Sequence, residues 1–384
     1  MMNKLFQLLL ILLFFISCES QPINYEEFLI ERNGIYVNKD DNLPFSGSVF
    51  SLDRKGRIKD EGKLKKGRFF RKTIFEYHNN DQIKLKGNIE DSRKHGLWQA
   101  WYENGDNSYR GTYKNGIKNG EWTYWKNGSV FDPDRYREHI SKNSNNNNDI
   151  FFPYEKKRVR NYKDGKITGQ QTGWMDDGQK LYKQFMRDGL EHGIYISWHH
   201  NGGKSQQMSF SNGVLNGKGT TWYENGKIQT EGVYEDGEIN GLWTHWFENG
   251  QKKLESNFEY GKQNGITTFW YENGDKESEG VFVNGELNGL WTMYKNGKKN
   301  SVGNFKNGKK EGQWINYFDN GNISEEFTYK SDEKNGLATW WNLNGNKIQE
   351  LTYKNGKING TLIIWDDNGV KKSEQFYKNG KLIR

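Results

Sequence analysis

The feature that most constrains this chain is a sequence unit of about 24 residues that recurs along most of its length. The stretch GLWTHWFENG at residues 241–250 has close copies on both sides, and each copy carries an aromatic residue shortly before a tripeptide such as Glu-Asn-Gly. A chain that repeats one short unit is predicted to fold as similar modules, each packed mainly on its neighbours. We name these aromatic residues the first-series rings: Trp101, Trp125, Trp174, Trp198, Trp222, Trp246, Trp270, Tyr294, Tyr317, Trp341 and Trp365.

A second aromatic series lies midway between the first-series rings. Its members are Phe210, Tyr234, Phe258, Phe282, Phe305, Tyr329, Tyr353 and Tyr377. Each follows a first-series ring by half a repeat, except that Phe305 follows Tyr294 one position early. Two aromatic positions in each repeat predict two strands and two turns per unit, and one residue is missing from the hairpin that joins Tyr294 to Phe305.

The segments between the aromatic residues favour hairpins. The chain has 24 Asn-Gly pairs, and Asn-Gly is the strongest short signal for a tight β-turn. Between them lie runs rich in Trp, Tyr, Thr and Phe, which favour strands. We therefore predict an all-β fold, an elongated antiparallel β-hairpin repeat of about 13 units of ~24 residues. If Asn249 and Gly250 are the two turn residues, Trp246 lies opposite Lys253; the stacking of the rings stays open.

The composition fits a thin sheet better than several compact domains. Hydrophobic residues make up 33% of the chain, which is low, yet aromatic residues make up 15% and there are 45 glycines. Rings stacked across neighbouring strands are the contacts that such a composition can supply. Disorder, the other interpretation of so polar a chain, is disfavoured because disordered segments are poor in aromatic residues.

The N-terminus has the features of an export signal. One lysine precedes an apolar run from Leu5 to Ile16, so residues 1–17 are predicted to be a signal peptide. Cys18, the single cysteine, follows this run in a context that resembles a bacterial lipobox, although Phe15 stands where leucine is usual. The resemblance implies lipidation of Cys18 and an exported, membrane-anchored lipoprotein of a bacterial cell envelope, facing the periplasm or the surface. The alternative is an ordinary secretory signal with an incidental cysteine.

The rest of the chain can be divided into segments that follow the repeat spacing and segments that do not. Residues 18–43 are expected to link the lipidated cysteine to the first strand, and residues 44–128 and 161–384 are expected to form the repeats. Residues 129–160 interrupt the regular spacing and contain the tract NSNNNN. This low-complexity insertion is expected to be a solvated loop at a hairpin tip; the alternative is a binding loop carried by a rigid scaffold.

No catalytic or metal-binding motif is evident. The seven histidines are scattered, and the one adjacent pair, His199-His200, stands where other units have an aromatic residue and glutamate. Glutamates such as Glu224, Glu248 and Glu272 recur before Asn-Gly and are interpreted as turn residues. The chain lacks a nucleophile elbow, a phosphate-binding loop and a dinucleotide motif. We expect no enzyme activity, no cofactor and no metal site.

The charge distribution does not favour nucleic acid as a partner. The formal net charge is +7, but lysine and glutamate alternate within units, so no continuous basic stripe is predicted. Two denser basic segments, residues 54–72 and 155–160, are either solvated surface or contacts to anionic lipid headgroups or wall polymers.

The repeat resembles a known family. The stretches GTYKNGIKNGEWTYWKNG (111–128), EGVYEDGEINGLWTHWFENG (231–250) and LTYKNGKINGTLIIWDDNG (351–369) are similar to the MORN repeat, in the bacterial variant described as YwqK-type antitoxin repeats. The resemblance implies β-hairpin strings that contact proteins or membrane surfaces. The insertion and the irregular first two units depart from the family pattern.

These features predict a non-enzymatic repeat scaffold that mediates protein–protein or envelope-surface interaction. The expected partner is an unknown protein, and the membrane is contacted through the lipid anchor. The first-series rings are the candidate structural or binding residues. Two alternatives stay open. One is a carbohydrate- or cell-wall-binding repeat protein, in which exposed rings stack on wall polysaccharide, and the other is an antitoxin-like protein that neutralises a partner toxin.

Overall fold

The described residues form mainly β-strands joined by turns, as the turn and strand signals of the sequence predict. The structure is a computed structural model that describes residues 20–126 and 156–384. It divides into two compact units, Met1–Leu190 and Glu191–Arg384. The predicted signal peptide, Cys18 and residues 129–155 of the predicted insertion lie outside the described residues.

The first unit is built mainly of antiparallel strands that follow one another in chain order. Strands β4 to β10 each pair with the next, β10 pairs with β11, and β11 pairs with β13. The elements are β1 (Ile23–Asn24), α1 (Tyr25–Phe28), β2 (Leu29–Arg32), β3 (Ile35–Asn38), β4 (Gly47–Leu52), β5 (Ile58–Lys65), β6 (Arg68–Tyr77), β7 (Ile83–Glu90), β8 (Arg93–Trp101), β9 (Asn107–Lys114), β10 (Ile117–Trp125), β11 (Lys156–Lys163), β12 (Lys166–Ile167), β13 (Gly169–Trp174) and β14 (Lys180–Arg187). Strand β15 (Leu190–Glu191) contains the point at which the two units divide.

The second unit continues as an antiparallel meander with the predicted two strands per repeat. Strands β19 to β32 each pair with the next. The strands are β16 (Gly193–Trp198), β17 (Lys204–Ser211), β18 (Val214–Leu215), β19 (Gly217–Trp222), β20 (Ile228–Glu235), β21 (Glu238–Trp246), β22 (Lys252–Glu259), β23 (Lys262–Trp270), β24 (Lys276–Val283), β25 (Glu286–Lys295), β26 (Lys298–Lys306), β27 (Lys309–Tyr317), β28 (Ile323–Lys330), β29 (Glu333–Trp341), β30 (Lys347–Lys354), β31 (Lys357–Trp365), β32 (Lys371–Lys378) and β33 (Lys381–Leu382).

The segment expected to be a linker is folded from Ile23 onward, so that part of the prediction for residues 18–43 is wrong. Strand β1 pairs in parallel with β4, and α1 with the β2–β3 hairpin follows. Tyr25 and Leu29 are buried against Val49 and Leu64. The reason is that a terminal repeat has no neighbour to cover its apolar side chains, so it needs a capping segment.

Each sheet has two distinct faces because side chains alternate along a strand. On β21, Trp243 lies on one face and Thr244 on the other. Cross-strand pairing carries this division to the next strand, where Ser256 lies opposite Trp243 and Glu255 lies opposite Thr244. In either unit we name the face that carries Trp243 or its equivalents face A, and the opposite one face B.

The Asn-Gly pairs have three structural roles, whereas the sequence suggested only turns. At Asn284-Gly285 both residues have positive φ, 52° and 87°, as a two-residue type I′ turn requires. At Asn249-Gly250 only Gly250 does, at 88°. At Asn240-Gly241 the pair lies inside strand β21, beside a break in the register with β20. Glycine at such a break is typical of a β-bulge.

The wider turn corrects the predicted register. The Phe247 N–H donates to the Gln251 carbonyl at 2.8 Å, and the Gly250 N–H donates to the Phe247 carbonyl at 2.8 Å. Five residues therefore separate the paired positions, and Trp246 pairs with Lys252 instead of Lys253. The extra residue arises because a type I turn closed by a left-handed glycine needs one more residue than a type I′ turn.

The prediction that one residue is missing from the hairpin between Tyr294 and Phe305 is confirmed. The difference between a tight turn and a wide turn explains it. This hairpin is closed by Asn296 and Gly297, with φ values of 51° and 72°. Lys295 pairs with Lys298, so the tight turn replaces the wider one and removes one residue.

The repeat sheet resumes slightly earlier than the predicted end of the insertion. Strand β11 begins at Lys156, and Val159 pairs with Thr123 of β10. Residues 156–160 therefore belong to a strand and not to the loop assigned to 129–160. Four of these five residues are lysine or arginine, so they show no hydrophobic alternation that would have predicted a strand.

Candidate interaction surface

Face A is filled by a set of tryptophans that sequence reasoning did not single out. They stand three residues before a first-series ring, they are at most 9% exposed, and they are Trp98, Trp122, Trp243, Trp291 and Trp314. A glycine lies eleven residues earlier on the preceding strand in each case. A Cβ atom added to Gly303, for example, would overlap the indole ring of Trp314. The ring therefore lies flat on the glycine backbone.

In other repeats, the two paired positions that carry glycine and tryptophan in these hairpins carry other residues. Phe327 pairs with Ala338, Leu351 pairs with Leu362, and all four are buried. In another repeat the pair consists of small polar residues, Ser256 and Thr267, whose hydroxyl oxygens lie 2.6 Å apart. In most repeats a large side chain is thus matched by a small partner.

The second-series rings complete face A. They contact the buried tryptophans edge to face, as Phe305 does with Trp314 at a centroid distance of 5.1 Å. The Lys310 ammonium lies 4.2 Å from the centroid of the same indole. Lys334 lies 3.6 Å from the centroid of Phe327, and burial lowers the pKa of Lys334. Face A is therefore occupied largely by the protein's own side chains.

A sequence signal for the buried tryptophans did exist. Stretches such as EWTYW and LWTHW contain two tryptophans, and only the second was counted as a first-series ring. The first tryptophan occurs together with a glycine eleven residues earlier, as in EGVYEDGEINGLW. That joint occurrence marks the pair, but the sequence does not reveal which ring is buried because both share the repeat spacing.

The first-series rings lie on face B and are half-buried in every case. The structure does not bring them together into one cluster; it places one on every second strand. In the second unit several of these rings contact lysine side chains of the preceding repeat, namely Trp222, Trp270, Tyr294 and Trp365. The Lys252 ammonium lies 5.5 Å from the centroid of Trp270, and Lys276 lies 5.6 Å from that of Tyr294.

These lysines also pair with a row of glutamates on face B. Lys276 pairs with Glu279 at 2.7 Å, and the Tyr294 hydroxyl donates to Glu279 at 2.8 Å. The hydrogen bond from Lys276 lowers the pKa of the Glu279 carboxyl. Burial, with the Glu279 carboxylate as a further cause, raises the pKa of Tyr294 to about 12. Equivalent lysine–glutamate pairs recur at Lys252–Glu255 and Lys347–Glu350.

The wide turns are joined to one another by side-chain hydrogen bonds. The Tyr223 hydroxyl donates to the carbonyl of Trp246 at 2.7 Å, and the Asn225 amide donates to the carbonyl of Glu248 at 2.9 Å. His199 occupies the tyrosine position, and its Nε2 lies 2.8 Å from the carbonyl oxygen of Trp222. The glutamates before Asn-Gly thus contribute their backbone to the turns, in accordance with a turn role.

Exposed aliphatic side chains form a second row on face B of the second unit. Leu242, Ile266 and Leu290 are 50%, 61% and 55% exposed. They lie on β21, β23 and β25, so successive members are two strands, ~9.6 Å, apart. Exposed aliphatic side chains aligned in this way are typical of a surface that binds a protein.

At least five of the ten basic residues in the segment 54–72 pair with acidic side chains. Arg57 contacts both Asp53 and Asp81, and Lys72 contacts Asp60 at 2.7 Å. Further pairs join Lys55 to Asp81, Lys59 to Glu26 and Arg71 to Glu90. This arrangement weakens the interpretation of the segment as a surface for anionic lipid.

Within residues 20–126 and 156–384, no group of three histidine, cysteine, aspartate or glutamate side chains is arranged to hold a metal ion. In the same residues no helix has the length and hydropathy that a membrane span needs. Cys18 lies outside the described part of the chain, and so does His139.

Seven segments of the chain match the family model described as the MORN repeat variant. They are residues 94–115, 215–236, 239–260, 263–284, 310–331, 334–355 and 358–382. Each includes most of a pair of strands from the repeat sheet. A comparison with curated proteins found no match.

Two solved structures illustrate the other similarities. The first is a crystal structure of TcdB2-TccC3-Cdc42, with 9% identity and a TM-score of 0.19 over 92% of this chain and 20% of that chain. The second is a porin-like protein from Bacteroides uniformis, with 11% identity and a TM-score of 0.13 over 73% of this chain and 92% of that chain. This chain thus spans about a fifth of the first structure's length, and with TM-scores this low no argument follows from either.

Proposed function

We propose that this protein is a non-enzymatic repeat scaffold of a bacterial cell envelope, and that face B of its second unit binds other proteins. Lipidation of Cys18 anchors the scaffold to the membrane. The match to the MORN repeat variant at seven positions supports a scaffold, because MORN repeats generally mediate protein or membrane interactions.

The observation that carries the proposal is the difference between the two faces. Face A is filled by paired tryptophan and glycine positions and by the second-series rings. Face B instead exposes the aliphatic row of Leu242, Ile266 and Leu290. An exposed apolar row flanked by charged side chains has the composition of a protein-binding surface.

The wall-binding alternative has less support from the geometry of the first-series rings. A sugar stacks on the open face of an aromatic ring, but several of these rings already contact a lysine, such as Trp222 with Lys204 and Trp365 with Lys347. A glycan would have to displace these lysines from the rings. A peptide partner on the aliphatic row does not require this displacement.

The anchor is tested by expressing the full chain in a bacterial host supplied with an alkynyl fatty acid. We expect the wild-type chain to take up the label and to fractionate with membranes, and we expect Cys18→Ser to do neither. An unlabelled wild-type chain that is secreted would contradict the anchor and leave a simple export signal.

The protein-binding face is tested by quantitative affinity capture from an envelope extract with residues 18–384 carrying Cys18→Ser. The face B variant is Leu242→Thr with Ile266→Thr, which retains residues that favour strands. The matched control is Leu343→Thr with Val370→Thr, which removes two aliphatic side chains that are 60% and 59% exposed at turns.

We expect proteins captured by the wild-type chain and by the control to be lost with the face B variant. Capture that is identical for all three chains would overturn face B as the binding surface. Retention on purified wall polysaccharide that depends on Trp270 would overturn protein binding in favour of wall binding.

A further inference from the structure

The second unit carries its charge in two adjoining blocks of opposite sign. Residues 231–286 contain 12 acidic and 4 basic residues, a net charge of −8. Residues 295–310, which follow almost at once, contain six lysines and no acidic residue. Lysine and glutamate alternate within single repeats, and this local alternation hides the separation along the chain.

Both blocks contribute to one line on face B, and Lys330 extends this line beyond the second block. The last residue of every second strand lies on this face, next to a tight turn. Along β20–β28 it is Glu235, Glu259, Val283, Lys306 and Lys330, and the line continues as lysine at the ends of β30 and β32. All five side chains are exposed. The sign of the charge therefore changes at Val283, with two acidic positions before it and two basic positions after it.

These four charged side chains have no ionic partner among the described residues. The ion pairs of the described second unit join lysines to Glu231, Glu255, Glu279, Glu350, Asp366 and Glu374. Glu235 and Glu259 accept hydrogen bonds from the amides of Asn240 and Asn264, which are neutral. The line of charges is thus uncompensated within the unit.

Two members of the aliphatic row lie beside this line and flank its central strand. Val283 ends β24, while Ile266 lies on β23 and Leu290 lies on β25. The acidic positions 259 and 235 lie two and four strands to one side of β24. The basic positions 306 and 330 lie two and four strands to the other side.

We propose that face B of strands β20–β28 is a self-association surface on which a second copy of this chain lies antiparallel, about a two-fold axis at Val283. This inference rests on the proposed protein-binding role of face B. The axis brings Glu259 to Lys306 and Glu235 to Lys330 of the second copy, and it does so twice in each dimer. Ile266 meets Leu290 of the second copy, and the two Val283 side chains meet on the axis.

The size of the surface fits a stable dimer. Nine strands ~4.8 Å apart, with ~8 residues of ~3.3 Å each, cover roughly 1,000 Å² per copy. A standard protein interface buries about 800 Å² per partner. With the copies antiparallel, each acidic position of the line lies opposite a basic one, so the charge pattern favours this arrangement. A two-fold interface is also the commonest closed assembly.

The first test is sedimentation velocity of residues 18–384 carrying Cys18→Ser. We expect a dimer at about 10 µM in low salt, with a Kd that rises as salt is added because exposed charge pairs are screened. A chain that stays monomeric even at a tenfold higher concentration overturns the self-association. If capture of proteins from the envelope extract still depends on Leu242 and Ile266, face B keeps its protein-binding role even though the chain is monomeric.

The second test reverses the charges in matched sets. Glu235→Lys with Glu259→Lys, and separately Lys306→Glu with Lys330→Glu, place like charges opposite one another. Each set is expected to raise the dimer Kd at least ~10-fold. The variant that combines all four substitutions restores opposite pairs, and its Kd should return to within ~3-fold of the wild-type value. A combined variant as weak as either set overturns the pairing.

The third test leaves the charges unchanged and asks whether the two copies of residue 283 lie next to each other at the two-fold axis. In the Cys18→Ser chain, Val283→Cys places one cysteine on the proposed two-fold axis, and mild oxidation should link two copies rapidly. Val370→Cys, at a turn away from the axis and 59% exposed, is the control and should stay unlinked. Equal linking of both variants, or open-ended filaments in place of dimers, overturns the two-fold arrangement.

Discussion

Two neighbouring hairpins of the second unit fill the same positions of face A in opposite ways. In β26–β27 the earlier position is Gly303 and the later one is Trp314. In β28–β29 the earlier position is Phe327 and the later one is Ala338. The large side chain has moved to the other strand, and each pair stays buried. The comparison teaches that the cross-strand pair, and not the single position, is the unit that this fold specifies.

The largest expected effect comes from removing the large member of a pair. Trp314→Ala leaves Gly303 uncovered and loses the hydrogen bond from the indole Nε1 to the Asn304 carbonyl, 3.1 Å long. We expect a loss of roughly 3–5 kcal/mol, as for other buried tryptophans. Hydrogen exchange should show it mainly in β26–β28, because a repeat contacts mostly its neighbours.

Trp341→Ala is the matched control for this experiment. Trp341 is a half-buried first-series ring on face B. We expect its removal to cost about half as much, since less area is withdrawn from water. Equal losses for the two substitutions would contradict the distinction between the faces.

The comparison can be sharpened by converting one hairpin into the other. Gly303→Phe alone forces a ring into the space of Trp314 and should cost about 1–3 kcal/mol. Combined with Trp314→Ala it recreates the arrangement of Phe327 and Ala338. The double variant should be more stable than the sum of the single losses predicts, with a coupling on the order of 1–3 kcal/mol in urea unfolding.

Gly303→Phe combined with Trp122→Ala is the control for the coupling. Trp122 covers Gly111 of its own hairpin, so these two losses should add. If the losses of unfolding free energy at Gly303 and Trp314 also added, the residue at one position would not depend on the residue at the other.

A smaller effect is expected at the turns, which do not depend on how face A is filled. The Asn225 amide donates to the Glu248 carbonyl, and the Asn320 amide donates to the Leu343 carbonyl at 3.0 Å. The side-chain oxygens of Asn225 and Asn320 also accept from the backbone N–H groups of Lys227 and Asn322. Replacing either asparagine by alanine therefore removes two hydrogen bonds and should cost about 1–2 kcal/mol. Thermal unfolding should give similar losses at both sites.

Asn344→Ala is the control at the turns. Asn344 occupies the same position of a wide turn, but its side chain makes no hydrogen bond to the described residues. It should change stability by less than the other two substitutions. A loss at Asn344 as large as the loss at Asn225 would contradict the role of these side-chain hydrogen bonds.

The smallest expected effect is on how the free energy of unfolding changes at acid pH. The hydrogen bond from Lys276 holds the pKa of Glu279 below its ordinary value. A carboxyl with a lowered folded-state pKa stabilises the protein above its unfolded pKa, about 4.3, and this contribution is lost as the pH falls through the folded-state value. The pair is partly exposed, so we expect only a few tenths of a kcal/mol. Urea midpoints at pH 6 and pH 3 should differ less for Glu279→Gln than for wild type.

Much of the fold could be predicted because it depends on preferences of residues that are close together in the sequence. The spacing of aromatic residues predicted two strands per repeat, and the interval between Tyr294 and Phe305 predicted the shortened hairpin. The role of each Asn-Gly pair could not be predicted, because the dipeptide tolerates positive φ in all three settings. Only the pairing of the flanking strands decides whether it closes a tight turn, completes a wide turn or forms a bulge.

The role of the first-series rings as structural or binding residues stays a prediction. The first-series rings do recur on one face, and His199 does take the place of a turn residue. The aliphatic row and the line of charges on face B were missed, because their members are separated by a full repeat in the chain. Neighbours within a single repeat, such as Lys276 and Glu279, suggest balanced charge, whereas the aligned strands bring residues of like charge together.

The capping segment marks the limit of reasoning from repeats. Residues 23–38 do not share the regular spacing, so no periodic signal predicted their structure. They fold because the apolar side chains of the first regular strands have no preceding repeat to cover them, and Tyr25 and Leu29 supply that cover.

The sequence by itself determined the β-hairpin repeat, its period and the position of its one shortened turn, since these depend on the backbone preferences of nearby residues. Only the tertiary structure decided which tryptophan of each repeat is buried, which glycine lies beneath it and which charges share a face. The physical reason is that these properties depend on cross-strand register, and one extra residue in a wide turn shifts the pairing beyond it.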